Sequence, residues 1–177
     1  MAKSYKGCLF SKTDLRKLNM RTDRVIKNKT KAIINALAYI GETAVKTARE
    51  NGRYNDITGN LRSSIGYVIL NDGKKVVGGN FNAVSVASGK RTIKKADGKT
   101  QTIKVGGDGS EGQKTAQELL KKLQAKYPWG IVLIICAGMK YAAYVEYHKD
   151  LDVLHSAEQI ADSLLLQLLG GYISKKE

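Results

Sequence analysis

Ile26, Ile33, Leu37, Ile40, Ala44 and Ala48 recur at steps of three, four and seven. That spacing is one face of an α-helix, and Lys27, Lys31, Glu42, Lys46 and Arg49 occupy the other. The pattern predicts a helix from Thr13 or Asp14 to about Glu50, stopped by Asn51-Gly52, where glycine accepts the left-handed conformation. Such a helix is roughly 50 Å long. A small core cannot cover that length, so part of it is expected to touch a neighbour or to break near Asn19 to Thr22.

The rest of the chain must supply what this helix packs on. "SIGYVIL" (64–70) reads as a strand, rich in β-branched and aromatic residues. "NDG" (71–73) follows as a hairpin turn, because Asp-Gly tolerates positive φ, and "KKVVGGNFNAVSV" (74–86) is the expected return strand. A second Asp-Gly, Asp97-Gly98, lies between alternating Thr, Ile and Lys, and predicts a protruding polar hairpin. Ser110, with Gln113 three residues on, has the form of a capping box. Ala116, Leu119, Leu120, Leu123 and Tyr127 give that helix its apolar face, and Pro128 ends it. "WGIVLIICA" (129–137) is a continuous apolar strand, expected at the centre of a sheet. A last helix is expected from Ser156 to a stop at Gly170-Gly171. The whole predicts one α+β domain over 1–177: an antiparallel sheet packed by a long N-terminal helix and a C-terminal helix, with residues 1–12 as a basic arm and 83–110 as a basic hairpin insertion.

Thirty Lys and Arg oppose sixteen Asp and Glu, a net charge of +14. An excess of that size points to an anionic partner, of which nucleic acid is the commonest. The basic residues concentrate in 1–31 and in the hairpin, where Lys90, Arg91, Lys94, Lys95, Lys99 and Lys104 are set against the single acid Asp97. Aromatic residues do not interleave with them, so they read as arms that contact phosphate or an acidic surface without reading sequence. The apolar run at 131–138 is far too short to span a bilayer. The N-terminus has no secretory apolar core, so synthesis in a cytoplasm is expected. Cys8 and Cys136 match no zinc spacing; Cys136 reads as a buried apolar residue and both thiols as reduced.

Little in the chain carries chemistry. "GGDGSEG" (106–112) precedes a helix but lacks the lysine of a phosphate loop and reads as a hinge. Glu146, His148, Asp150, Asp152 and His155 contain ligand-type side chains, and four of them would share a face if 146–152 were extended. Without a motif spacing they read as a solvated loop. Glu146 stands among Tyr141, Ala142, Tyr144, Val145 and Tyr147, so it is expected to be partly buried and to need a partner. Arg62 is the candidate partner.

Two segments carry a resemblance. "DITGNLRSSI" (56–65) contributes Thr58, Gly59, Leu61, Arg62, Ser64 and Ile65. "YAAYVEYHKDLDVL" (141–154) contributes Tyr141, Ala142, Val145, Glu146 and Tyr147. Set between a long helix and a closing helix, they resemble the neck or tail-completion proteins of tailed bacteriophages, whose pattern has a "TG-L-SI" turn before the first strand and a "YA--VE[FY]G" segment after the last core strand. His148 stands where that family tends to have glycine, and 83–110 is longer than the family would lead one to expect. The resemblance implies a non-catalytic ring subunit between the portal side of the capsid and the tail. Its partners would be further copies of itself, other neck, portal and tail proteins, and DNA passing through the ring. It implies a place in the virion, assembled in the host cytoplasm, with no membrane partner and no cofactor, metal or catalytic residue. On this view Thr58 or Asn60 caps the turn, Gly59 bends it, and Leu61 and Ile65 hold it to the core. Two other readings compete: a free nucleic-acid-binding protein using its basic arms, and an enzyme built on the 146–155 cluster.

Overall fold

A computed structural model describes residues 3–5, 8–10, 14–52, 54, 56–79, 81–94, 98–149 and 151–173. The fold is α+β, with a long N-terminal helix, a C-terminal helix and antiparallel sheets. The chain divides into two compact units, Met1–Asn35 and Ala36–Glu177.

In the first unit β1 (Lys3–Tyr5) and β2 (Cys8–Phe10) pair antiparallel, Ser4 opposite Leu9. Over its described residues the expected basic arm is thus a small hairpin. Helix α1 (Leu15–Asn51) begins here. Asp14 caps it, its Oδ1 accepting the N–H of Arg16 at 3.0 Å and of Lys17 at 3.4 Å, two donors that a helix start leaves open. No break occurs between Asn19 and Thr22. Ile26, expected on the buried face, is exposed, as are Leu15, Leu18, Met20 and Val25. Good helix formers carry the backbone through this stretch without cover.

The second unit holds the rest of α1, then α2 (Asn60–Ser64), β3 (Ile65–Asn71), β4 (Lys74–Gly78), β5 (Val86–Lys94), β6 (Thr100–Gly107), α3 (Ser110–Gln124), β7 (Ile131–Ala137), α4 (Ala142–Lys149) and α5 (His155–Ile173). Its main sheet has the order β4-β3-β7, all antiparallel. The central strand is therefore β3 and not β7, as the apolar run at 131–137 led us to expect. That run reflects cover on the faces of the sheet rather than a neighbour on both edges.

Period-two alternation sorts the two faces. Ile65 lies opposite Ala137, and Tyr67 opposite Ile135, on the face covered by α1 and α5; Ala44, Ala48, Val153 and Ala157 pack there. Val68 lies opposite Ile134, and Gly66 opposite Cys136, on the face covered by α3 through Ala116 and Leu120. Tyr127, expected on the α3 apolar face, is exposed beyond the helix end. Cys136 is buried as a free thiol, and burial pushes its pKa up to about 11.

Asp72 and Gly73 take φ of 50° and 73° in the turn between β3 and β4, as an Asp-Gly hairpin requires. The return strand ends at Gly78 instead of continuing to Val86. Gly78 and Gly79 have φ of 77° and 75°, and the Gly79 N–H donates to the Tyr67 carbonyl at 2.7 Å. Phe81 then turns inward and is buried against Gly66, where a Cβ would overlap its ring. The polar hairpin forms as expected: β5 and β6 pair with each other and with no third strand among the described residues. Lys95 and Asp97 lie outside the described residues. At the other end of the chain α5 continues to Ile173, through the glycine pair expected to stop it. Neither glycine takes the positive φ of a helix stop, so each costs the helix only about 1 kcal/mol relative to alanine.

Candidate functional site

The segment 56–65 is a corner that joins five parts of the second unit. Gly59, at φ 78°, is the cap of α2, and a Cβ there would overlap the Val84 carbonyl oxygen. The expected capping side chain is only partly right. Thr58 Oγ1 accepts from Asn60 N–H at a long 3.4 Å, whereas the buried Asp56 accepts from Arg62 N–H at 3.1 Å through Oδ2. Asp56 was readable as an acid ahead of a helix start, but nothing local distinguished it from Thr58. Ser63, fully buried, donates from Oγ to the Gly59 carbonyl at 2.6 Å and accepts from Val84 N–H at 2.8 Å. Ser64 closes the corner. Its Oγ donates to the Leu61 carbonyl at 2.8 Å, and its carbonyl accepts from Gly138 N–H at 3.0 Å after β7. Leu61 and Ile65 are buried in the core, as expected.

The "GGDGSEG" stretch fits against this corner and is no hinge. Gly107 lies on the Thr58 backbone, Gly109 on Ser63 and Gly112 on Asn60, each so close that a Cβ would overlap them. Gly106 N–H donates to the Ile57 carbonyl at 2.9 Å, and Asn60 Nδ2 donates to Glu111 Oε2 at 2.9 Å. The base of the β5–β6 ribbon and the start of α3 are thereby fixed to one turn. Asp108, not the expected Ser110–Gln113 box, serves the helix start, accepting from Ser110 N–H at 3.0 Å. Gln113 instead donates to the Phe81 carbonyl.

Arg62 projects from the corner over the Tyr54 ring, its guanidinium carbon 5.7 Å from the centroid. Burial pushes the Tyr54 hydroxyl up to about 12, against the opposing pull of the Arg62 charge. A cavity of about 350 Å³ opens here, lined by Tyr54, Asp56, Arg62 and, from the ribbon, Val86 and Arg91.

The second segment is helical from Ala142 to Lys149, so Glu146 and His148 do not have the extended backbone that would have aligned them with Asp152; Asp150 lies outside the described residues. Helix α4 continues through position 148, where the phage family tends to have glycine. Glu146 is partly buried and does have a partner, but it is not Arg62. Its carboxylate accepts three backbone N–H groups at the start of α5: Val153 at 2.7 Å, Leu154 at 2.9 Å and His155 at 3.0 Å. Asp152 adds a bond from Ser156 N–H at 2.9 Å. Both acids thus act as caps, for the dipole and the open amides of α5. Among the described residues no cluster of His, Cys, Asp or Glu is placed to hold a metal ion. Ala142 is buried and Val145 half-buried, but Tyr141 and Tyr147 are exposed rather than core residues.

The ribbon separates its side chains cleanly. Lys90 lies opposite Lys104, Thr92 opposite Thr102 and Lys94 opposite Thr100, all on one face and all exposed. The other face carries Arg91, Ile93, Gln101, Ile103 and Val105, of which the three apolar residues are half-buried and Arg91 and Gln101 exposed. Lys99 lies in the connection at the tip. No helix among the described residues is long and apolar enough to cross a membrane. No family model, curated protein or solved structure matches the chain.

Proposed function

We propose that the protein is a structural subunit of a phage neck: a ring-forming head–tail connector or tail-completion protein without catalysis. The observation that carries this reading is the corner at 56–65. In it Gly59, Leu61, Ser64 and Ile65 of the family-like motif do architectural work, and the corner fixes the root of an outstanding ribbon. The second family-like segment is architectural as well, Glu146 seating the start of α5. A ribbon whose two edges pair with no further strand among the described residues offers them for joining another chain. Head-to-tail contacts between identical subunits close into rings when the rotation permits.

Electron microscopy of the purified protein, with its mass in solution, tests this. Rings or a discrete multimer are expected, alone or with a portal-side partner. A monomer under every condition would remove the reading. A free nucleic-acid-binding protein is the second reading, supported by the charge of +14 and the Lys/Thr face. It predicts a small particle whose hold on DNA falls steeply with salt.

A further inference from the structure

We propose that the Lys/Thr face of the β5–β6 ribbon docks on the exposed α4–α5 face of a second copy of this chain. The inference rests on the ring-forming reading and names the two surfaces that would meet.

The ribbon face is built for an external acidic surface. Lys90 and Lys104 are directly opposed across the ladder, an arrangement that destabilises a sheet by itself. Among the described residues Lys90, Lys94 and Lys104 take part in no ion pair. Threonines fill the places between them, and Thr92 and Thr102 bring their hydroxyls to 3.4 Å. A face this polar gains nothing from the chain's own core.

The α4–α5 face supplies those groups. Five of the chain's sixteen acidic residues fall between 146 and 162, against one lysine and no arginine. In a chain of net +14 this is the acidic region. Glu146 and Asp152 are engaged at the start of α5, but Glu158 and Asp162 are exposed one turn apart and form no ion pair among the described residues. Beside them is an open cleft of about 640 Å³ between α4 and the start of α5. Tyr144 and Tyr147, at 55% and 81% exposure, lie one turn apart on α4. Exposed tyrosines at helical spacing give a rigid contact area of the kind that dominates protein interfaces. Tyrosine beside carboxylates suits a Lys/Thr surface, whereas DNA would be repelled by the same acids. The ribbon and its complement are separate elements of one chain, so the ribbon of each copy can engage the α4–α5 face of the next, the head-to-tail contact that closes a ring.

The test is a charge swap. Variant one carries Lys90→Glu and Lys104→Glu, which keeps a like-charged pair across the ladder. Variant two carries Glu158→Lys and Asp162→Lys on the surface of α5. Each alone is expected to raise the concentration needed for self-assembly at least tenfold; variant one keeps its melting midpoint, and variant two melts only slightly lower, because Glu158 lies in the first turn of α5. One chain carrying all four substitutions should assemble as the wild type does, because each reversed ribbon then meets a reversed cleft. Should a variant melt early, Lys90→Gln with Lys104→Gln and Glu158→Gln with Asp162→Gln replace it, and tenfold weakening by both is still required. Assembly unaffected by either swap, or a fourfold variant that fails to recover, overturns the docking while leaving the ring reading intact. Loss of DNA retention by variant one with assembly unchanged assigns the Lys/Thr face to nucleic acid and also overturns it. A wild-type chain that is monomeric throughout removes the ring reading itself.

Discussion

Gly59 carries two constraints at once. Its φ of 78° strains any other residue, and a Cβ would strike the Val84 carbonyl, which belongs to the backbone and cannot turn away. Gly59→Val is expected to cost about 1–3 kcal/mol through backbone strain alone, more once the overlap is added. A thermal melt with an unchanged midpoint would refute this. Glu146 is the second decisive residue. Its three N–H contacts make Glu146→Ala expensive by about 1–3 kcal/mol, since a charged acceptor is lost from two partly buried amides and one exposed amide at the helix start. Arg62→Ala and Glu146→Ala should then add within about 0.5 kcal/mol, because the two side chains share no partner; strong coupling in the double variant would contradict the geometry. Tyr54 gives a pH signature. Its hydroxyl binds its proton more tightly in the folded chain, so its contribution to stability is whole below pH 10 and is lost as pH rises toward about 12. Tyr54→Phe should flatten that decline, and identical pH profiles for the two proteins would show that Tyr54 does not cause it.

At the scale of elements the ribbon is separable from the core. Gly89 lies opposite Val105, so replacing 90–104 by a two-residue Asn-Gly turn closes the ladder below the excised part. We expect the shortened protein to melt within a few degrees of the wild type and to lose self-assembly. A collapse of the fold would show that Ile93 and Ile103 hold more of the core than their half-burial implies. Local chemistry made several elements legible. The Asp72-Gly73 turn, the cap near Asp14 and the paired strands of the ribbon each depend on residues close in sequence. Other features depend on distant packing, and for these local signals failed. Gly107, Gly109 and Gly112 resembled a flexible loop because the Thr58, Ser63 and Asn60 surfaces that require them lie some fifty residues earlier. The apolar neighbours of Glu146 indicate that it needs a partner, yet that partner is the amide row of a helix rather than a cation. The glycine pair at 170–171 had the composition of a helix stop, but composition does not set φ. The strand expected over 74–86 ended early because paired glycines at 78 and 79 turned Phe81 inward beneath Gly66.

For the whole molecule, charge distribution matters more than net charge. Lysines project along one ribbon face while acids gather between 146 and 162. An assembly held by such complementary surfaces should weaken as salt rises from about 0.05 to 0.5 M, because the screening length falls well below 10 Å. Sedimentation at both salts checks this, and an assembly indifferent to salt would indicate an apolar joint instead.

The alternation of the ribbon also restricts how its length can change over evolution. Side chains change face with every residue. One residue gained within β5 or β6 would turn every lysine beyond it toward the apolar side. Two residues gained in each strand would extend the ladder and keep the lysines in line. Natural variants of this hairpin should therefore differ in strand length by even numbers, with odd changes confined to the tip around Gly98 or to the base, where the register already shifts between Val86 and Gly89.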